Sequence, residues 1–352
     1  MAVKELLALN EDKRTEYLPL QRAALGGFLK TAQVLLDLLD DPGQIDRDGR
    51  TPLHLATFGG HLEIIRRLLG ECEVTDTKKR TDIPHIIDAQ DGKRQTPLML
   101  ASQMGHIDCT RHLIESGADI SIKDATGKTV VHYAVLNCPE IIKYVAGQDP
   151  MYSIDNEGCT PLHIAAKYGS VEATSILLSV LLRSAKPNQT IKALDNAKKA
   201  ALTHAAEQGH TEVVKILLER QGHAVTYDEY HAGELYAAEL AAADGHLVTL
   251  RVLIERHSEK RMIKDAILGD HLLKAASVRG QLLVVQLLLQ KGLADANGQS
   301  SLSRHLSYAA SQGHDSIVRT LLRNNADVNN VDINHQTALH QAAKYLIYLA
   351  VE

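Results

Sequence analysis

The chain has 352 residues, and its 38 basic and 43 acidic side chains give a formal net charge of −5. This balance argues against the phosphate backbone of a nucleic acid as the main ligand, because such binding needs a basic surface. No run of about 18 apolar residues is present, so we expect no membrane span. The four Cys residues have neither zinc-site spacing nor the density of a disulfide scaffold, which predicts reduced thiols and a cytoplasmic location.

One sequence pattern recurs along the chain. The hexapeptide Thr-Pro-Leu-His-x-Ala occupies residues 51–56 and 160–165, and a Gly follows eight residues after each Pro. Aligned on the Pro position, the repeats start at Pro19, Pro52, Pro97, Val130, Pro161, Ala201, Ala237, Leu272, His305 and Ala338. The successive spacings are 33, 45, 33, 31, 40, 36, 35, 33 and 33 residues. This periodicity predicts one continuous stack of similar elements rather than several independent globular domains.

Each repeat contains the signals for two short helices. Thr51 suits the position before a helix, because its hydroxyl can accept a hydrogen bond from an early backbone N–H, and Pro52 fits the first helical position. Gly60 stands where a left-handed residue ends the helix. Residues 61–69 then place apolar side chains at helical spacing, which predicts a second amphipathic helix.

The hexapeptide, the Gly-His pair that follows it and the Gly-Ala-Asp turn at residues 117–119 together resemble the ankyrin repeat. The resemblance covers roughly residues 17–345. It implies an all-α ankyrin-repeat solenoid of about ten helix-turn-helix units with hairpin-like loops. We therefore predict a single array over residues 17–352, preceded by a capping helix in residues 1–16.

Several segments depart from the regular repeat. Inserted loops lengthen the spacing near residues 71–90, 183–199 and 221–233. In an ankyrin array these loops fall on the side where the hairpin loops project, so they either extend a binding face or are tolerated surface insertions. The fourth repeat has Cys138-Pro139 in place of Gly-His, which predicts a local kink.

The tenth repeat is incomplete. Its hexapeptide begins at Thr337 and runs into Lys344–Leu349 without a Gly or a second helix. The apolar end of a stack needs a cover. Either this segment folds back as a cap, or the natural protein continues past Glu352.

The 18 His residues raise the question of a metal site. Four of them occupy the His position of the hexapeptide and five follow the repeat Gly, and in ankyrin repeats such imidazoles form structural hydrogen bonds. No HExxH motif or paired-Cys spacing accompanies them. Cys109 and His112 lie in a predicted second helix, as neighbours of the core and the surface. We predict no metal site and no cofactor.

Cys159 is the strongest candidate for a catalytic nucleophile, because it lies one residue before Thr160 at a predicted hairpin tip. A cysteine hydrolase also needs a base and a site that excludes water. His163 is already assigned to the repeat, and open loops exclude water poorly. We therefore predict a non-catalytic chain with no catalytic residue and no small-molecule substrate.

Within ankyrin repeats, the two residues before the Gly face the concave groove where partners dock. The first five repeats place a large apolar residue there, whereas the last four place mostly small or polar residues. We predict a partner-binding stripe of Leu25, Phe58, Met104, Leu136 and Tyr168, with Lys167 favouring acidic groups of the partner. The alternative is that these side chains pack against the inserted loops or the irregular fourth repeat.

The sequence thus predicts a protein–protein interaction module whose N-terminal half binds another protein. The uneven spacing and the degenerate later repeats also resemble the ankyrin effectors that intracellular bacteria deliver, which implies the host cytoplasm as the location. The alternative function is the regulatory or targeting region of a longer enzyme whose catalytic domain follows Glu352.

Overall fold

The computed structural model of the chain describes residues 19–38, 42–70, 86–146, 152–183, 191–220, 227–260, 265–293, 299–332 and 334–351. These residues form nineteen helices and no β-strand, which confirms the predicted all-α class. The predicted capping helix in residues 1–16 lies outside the described residues. So do residues 71–85 of the first inserted loop, 184–190 of the second and 221–226 of the third.

The chain divides into two compact units, residues 1–165 with 175–190 and residues 166–174 with 191–352. The helices up to residue 144 are α1 (Pro19–Gly26), α2 (Leu29–Leu38), α3 (Pro52–Gly59), α4 (Leu62–Leu68), α5 (Pro97–Gln103), α6 (Ile107–Glu115), α7 (Val130–Asn137) and α8 (Pro139–Tyr144). Two helices of the fifth repeat follow, α9 (Pro161–Tyr168) and α10 (Val171–Leu181). The remaining helices are α11 (Ala201–Glu207), α12 (Thr211–Arg220), α13 (Tyr227–Ala243), α14 (Leu247–Lys260), α15 (Asp265–Arg279), α16 (Leu282–Gln290), α17 (Gln299–Ser311), α18 (Asp315–Arg323) and α19 (Ala338–Val351).

In the first unit, the helices form two layers. The first helices of successive repeats, α1, α3, α5 and α7, pack on one another in that order, and the second helices α2, α4, α6 and α8 do the same. Aliphatic side chains fill the space between the layers, and Leu53, Ile64, Leu98 and Leu113 are fully buried. Each such side chain contributes about 1.5–3 kcal/mol through burial, so stacking rather than intrinsic helix propensity holds these short helices.

The start of α3 shows how the hexapeptide specifies a helix and its link to the next repeat. The Thr51 hydroxyl accepts from the His54 backbone N–H, and the Thr51 N–H donates to His54 Nδ1 at 3.1 Å. Because Nδ1 is the acceptor, Nε2 carries the proton and donates to the Gln95 carbonyl at 3.0 Å. His132 repeats both contacts, to Thr129 and to the Cys159 carbonyl. The expected structural role of these imidazoles is therefore present.

A hairpin-like turn, called a finger below, precedes the first helix of six repeats. The fingers begin at Asp46, Asp91, Asp124, Asp155, Asp195 and Asp332, and each spans five residues. In each finger the Asp N–H donates to the carbonyl four residues later, and Oδ1 accepts from the N–H of that same residue. The Asp side chain thereby satisfies backbone donors that a tight turn would otherwise leave unpaired.

A second contact ties three fingers to the helices that follow them. Tyr133 OH donates to the Asp124 carboxylate, His204 Nε2 donates to Asp195 at 2.7 Å, and Gln341 Nε2 donates to Asp332 at 2.9 Å. Burial alone would raise the pKa of Asp124, but hydrogen bonds, first from Tyr133, outweigh it and lower the pKa. The position after the hexapeptide His therefore anchors a finger, although its residue type differs among repeats.

In the second unit, the first helices α11, α13, α15, α17 and α19 pack on one another in order. Here the predicted third loop requires a correction, because α13 already begins at Tyr227 and includes residues 227–233. This segment contains no Pro that would interrupt a helix. Lys344–Leu349 continue α19 as one helix.

The irregular fourth repeat is shortened at its second helix. Cys138 joins α7 directly to α8, which has only six residues, and Cys138 is fully buried with φ −139° and ψ 53°. Pro139 occupies the first turn of α8, where its missing N–H has no helical partner to lose. The replacement of Gly-His therefore shortens the repeat without exposing its core.

Candidate functional site

Four residues of the predicted stripe belong to the first helices of the first unit. Leu25 lies in α1, Phe58 in α3 and Leu136 in α7, and Met104 follows the last residue of α5. The side chains of Phe58, Met104 and Leu136 are 44%, 43% and 42% exposed, and Leu25 is half-buried. These exposures fit a surface available to a partner, and the binding role remains a prediction.

Phe58 and Met104 line one open cavity of about 890 Å³ in the first unit. The buried side chains of Leu55 and Leu100 line it from α3 and α5. The fingers at residues 46–50 and 91–95 complete the lining together with Ile45 and Gln103. The structure thus brings two of the predicted residues together, and Leu25 and Leu136 are not part of this lining.

The two fingers at the cavity are joined to each other. The Gly92 N–H donates to the Asp48 carbonyl at 2.7 Å. Gly92 also permits a close approach, because a Cβ added there would lie 2.9 Å from that carbonyl oxygen. The fingers therefore form one continuous rim beside Phe58 and Met104.

The main chain under the stripe is held by the next repeat. His61 Nε2 donates to the Leu25 carbonyl and His106 Nε2 donates to the Phe58 carbonyl, both at 3.0 Å. In the fourth repeat, where no Gly-His pair exists, Asn137 Nδ2 donates to the Gln103 carbonyl. The His that follows the repeat Gly therefore fixes the main chain at Leu25 and Phe58, two of the residues that the sequence predicts to bind a partner.

The cavity lining carries charges of both signs. Asp46 and Asp48 both pair with Arg50, at 2.9 Å and 2.7 Å, and Asp91 Oδ1 accepts two backbone N–H groups of its own finger. The exposed cations of the lining are Arg47 and Lys93, one on each finger. Sequence reasoning missed these two, and the recurring Asp at the start of each finger is the signal that would have located them.

Lys167 and Tyr168 belong to the second unit. Both are exposed, Tyr168 at 59%, and the Lys167 carbonyl accepts from His210 Nε2 at 3.1 Å. In the same unit Gln281 Nε2 donates to the Ala243 carbonyl at 3.0 Å, in the position where other repeats have His. An amide can therefore replace the imidazole at the position that follows the repeat Gly.

The second unit has an open cavity of its own, of about 640 Å³. Arg304 and Tyr308 of α17 line it together with Asp332 of the last finger and Gln341 of α19. Apart from Val331, the residues that line it have polar side chains, and Ser311 is one of the polar residues that the later repeats place before the Gly.

The residues weighed for metal binding or catalysis are built into the repeats. Burial raises the pKa of the Cys109 thiol to about 11, which keeps it protonated near neutral pH. Cys159 is 3% exposed, and its N–H and carbonyl bond to Asp155 and His132. His163 Nδ1 accepts from the Thr160 N–H at 3.1 Å. The His163 contact is that of a helix cap, and the Cys159 contacts are made by its main chain.

Comparison with known proteins identifies the repeat. A family model described as ankyrin repeats in three copies matches residues 1–80, 79–153, 146–228 and 238–332. The chain belongs to the ankyrin-repeat family. Ankyrin repeats generally serve as protein–protein interaction modules. Among the described residues, no helix combines the length and the apolar character needed to cross a bilayer.

Similar proteins share the repeats but not their full length. The chain is 27% identical over 269 residues to "Transient receptor potential cation channel subfamily A member 1" of Drosophila melanogaster, covering 57% of this chain and 22% of that protein. It is 33% identical over 146 residues to "Putative E3 ubiquitin-protein ligase XBAT31" of Arabidopsis thaliana, covering 37% of this chain and 29% of that protein. It is 28% identical over 218 residues to the "B-cell lymphoma 3 protein homolog" of Mus musculus, covering 60% and 45%. The chain thus spans less than half the length of these relatives.

Solved structures agree on the fold. The human ASB11 ankyrin repeat domain superposes with a TM-score of 0.53 at 22% identity, covering 68% of this chain and 98% of that one. The ankyrin repeat domain of Bcl-3 superposes with a TM-score of 0.50 at 22% identity, covering 63% and 93%. At this identity the likeness concerns the fold alone.

Proposed function

We propose that this chain binds a partner protein through the first-helix face of its first unit, around the cavity beside Phe58 and Met104. The observation that supports the proposal is the exposure of these two large apolar side chains next to one cavity. A solvated surface without a ligand would favour polar residues at such positions. The next repeat holds the main-chain carbonyls of Phe58 and of Gln103, which precedes Met104, so the site is largely formed before binding.

The same proposal extends to the remaining predicted residues and to the setting. Leu25, Leu136, Lys167 and Tyr168 are further candidate contacts. The chain is proposed to act without catalysis, in the cytoplasm, and in the cytoplasm of a host cell if it is a delivered bacterial effector. The use of the His163 ring in the cap of α9 supports the non-catalytic part.

The test is affinity capture from eukaryotic lysate with the unmodified chain and a Phe58→Asp, Met104→Asp variant. The matched control is Val34→Asp, because Val34 is 41% exposed but lies on the second helix α2. We expect a protein recovered by the unmodified chain and by the control, and lost with the double variant whose helicity is retained. Equal recovery by all three would place the binding site elsewhere.

A further inference from the structure

We infer that the cavity beside Phe58 and Met104 receives an Asn or Gln side chain of the partner protein, whose carboxamide hydrogen-bonds to Gln95 and Gln103. This inference rests on the proposed function and adds the chemistry of the partner. It is carried by a series of hydrogen bonds that orients the buried amide of Gln95 at the cavity.

Gln95 is a buried polar side chain of the cavity lining. It is 8% exposed, and it is the last residue of the finger at residues 91–95. Its main chain is fixed on both sides, because its N–H donates to Asp91 Oδ1 at 2.8 Å and its carbonyl accepts from His54 Nε2 at 3.0 Å. The side chain therefore extends from a rigid main chain.

The orientation of the Gln95 amide follows from its neighbours. Tyr133 OH donates to the Asp124 carboxylate, which is ionised and can only accept. The Tyr133 oxygen therefore accepts from Gln95, and it lies 3.0 Å from Nε2. Burial and the hydrogen bond to Asp124 raise the pKa of Tyr133, so the hydroxyl keeps its proton at neutral pH. The pair of Asp124 and Tyr133 thus fixes which end of the Gln95 amide is the donor.

Two amide atoms remain available at the cavity. Gln95 Nε2 also donates to Gln103 Oε1 at 3.4 Å, which leaves Gln95 Oε1 as an acceptor and Gln103 Nε2 as a donor. Neither atom makes a hydrogen bond within the described part of the chain, and Gln95 Oε1 is not sealed from solvent. Both residues line the cavity. The site therefore presents one acceptor and one donor to a ligand.

A side-chain carboxamide matches this pair of atoms. Its NH₂ group can donate to Gln95 Oε1 while its oxygen accepts from Gln103 Nε2. In a main-chain peptide group, by contrast, the N–H and the C=O point in opposite directions, because the peptide bond is trans. We therefore assign the ligand group to Asn or Gln rather than to the partner's main chain.

The last finger offers an internal comparison. Gln336 occupies the same finger position as Gln95, yet its Oε1 accepts from Gln341 Nε2 at 3.0 Å and from Lys344 Nζ at 2.6 Å. The Gln336 oxygen is thus satisfied inside its own repeat, whereas the Gln95 oxygen is not. A fixed acceptor without a protein partner, in a cavity, is what a binding site for a polar group requires.

Apolar side chains surround the two amides. Leu55 and Leu100 form buried parts of the lining, and Phe58 and Met104 add exposed apolar surface. The methylene groups of an Asn or Gln, and an apolar neighbour in the partner, can pack there. The lining also holds three carboxylates and three cations, so it favours a neutral ligand over one with a large charge of either sign.

The test is a selection of random twelve-residue peptides displayed on phage against the full chain, followed by fluorescence anisotropy with the synthetic peptide that is most enriched. We expect Asn or Gln at one fixed position, next to a Leu, Ile, Met or Phe. Replacement of that Asn by Leu, or of that Gln by Met, should weaken binding about tenfold, because hydrogen bonds are lost at similar side-chain volume. An enriched motif without Asn or Gln, or no enrichment, overturns the inference.

A double-mutant cycle ties the effect to Gln95. The Gln95→Met variant should bind the amide peptide about tenfold more weakly and should no longer distinguish it from the apolar peptide. Gln336→Met is the matched control and should keep the full preference, because Gln336 makes its contacts in the last repeat. Circular dichroism checks that both variants are folded. An unchanged preference in Gln95→Met would contradict the inference.

Tyr133→Phe tests the orientation of the amide, since Tyr133 is not part of the cavity lining. Loss of the hydroxyl leaves the Gln95 amide free to turn, so the preference for the amide peptide should fall about threefold. A merely structural role of Tyr133 would lower the affinity for both peptides alike. That result would contradict the assigned positioning role.

The outcomes also separate this inference from the proposed function. Phe58→Asp should abolish peptide binding, and Val34→Asp should preserve it. Peptides that depend on Phe58 but keep their affinity when the amide is replaced would leave the surface in place and remove its preference for a carboxamide. Peptides that bind independently of Phe58 would contradict both.

Discussion

His106 Nε2 donates a hydrogen bond of 3.0 Å to the main-chain carbonyl of Phe58, the residue at the centre of the candidate site. Gly60 makes this approach possible, because a Cβ at that position would come within 2.7 Å of the His106 ring. The His that follows the repeat Gly therefore contributes both to stability and to the geometry of the candidate site. A change at His106 should affect binding although its side chain is not in the cavity lining.

Replacement of His106 by Ala should lower the free energy of unfolding by about 1 kcal/mol, since one hydrogen bond is lost. His106→Gln should restore most of it, because Gln281 makes the same contact to Ala243. Thermal unfolding of both variants, and partner capture by them, check this prediction. Equal unfolding temperatures for Ala, Gln and the unmodified chain would show that the contact carries no stability.

Gly127 and Gly117 separate backbone strain from steric contact. Both have positive φ, 80° and 92°, but a Cβ at Gly127 would lie 2.8 Å from the Asn156 backbone N, whereas nothing lies within 4 Å at Gly117. Gly117→Ala should cost about 1 kcal/mol from its backbone conformation alone. Gly127→Ala should cost clearly more in the same chemical denaturation experiment, and similar losses would mean that the finger yields without penalty.

Lys198 occupies the finger position where Gly49, Gly127 and Gly158 have positive φ, and its own φ is 61°. Lys198→Gly should therefore leave the stability unchanged or raise it by up to about 1 kcal/mol, because Gly adopts this conformation without strain. Lys198→Ala is the control that removes the charge and keeps the strain. A Gly variant less stable than the Ala variant would contradict the prediction.

The first unit should lose stability in acid through its buried imidazoles. Burial lowers the pKa of His132 from 6.5 to about 4, and burial also lowers the pKa of His54. The unfolded chain binds the proton more readily, so stability is complete above pH 6.5 and declines as the pH falls to about 4. For His132 this difference corresponds to about 3 kcal/mol.

Denaturant unfolding between pH 7 and pH 4 checks this titration. His132→Gln should flatten the pH dependence by about one proton over this window, even if the variant is less stable throughout. His314→Gln in the second unit is the control, since Gln281 fills the same column. An unchanged slope for His132→Gln would contradict the assigned cause.

The helix pairs and the His contacts were predictable because their signals are local. Thr, Pro and Gly define the first helices of the regular repeats within ten residues, and the same signals recur with a period near 33 residues. The start of α13 at Tyr227 could not be predicted from that period, because residues 227–233 lie ahead of the repeat signals. Their own preference for helix extends α13 towards the N-terminus. The contacts of Tyr133, His204 and Gln341 were hidden by the variation in residue type at one position.

The candidate site was predictable in part. Phe58 and Met104 differ from the polar residues expected at their position, and that contrast is visible in the sequence. Arg47 and Lys93 join them only because the Gly92 N–H reaches the Asp48 carbonyl and aligns two fingers that are 45 residues apart in the repeat frame. The same main-chain bond joins the next two pairs of fingers, but it links residues of different types, so the sequence pattern does not mark it.

Site-specific photo-crosslinking in cells tests the central claim most directly. A photoreactive phenylalanine analogue is placed at Phe58, at Met104 or at Val34, and the adducts are identified by mass spectrometry. We predict that positions 58 and 104 crosslink the same partner protein and that position 34 does not. Adducts of that partner from position 34 alone, with none from 58 and 104, would contradict the claim that the first-helix face is the binding surface.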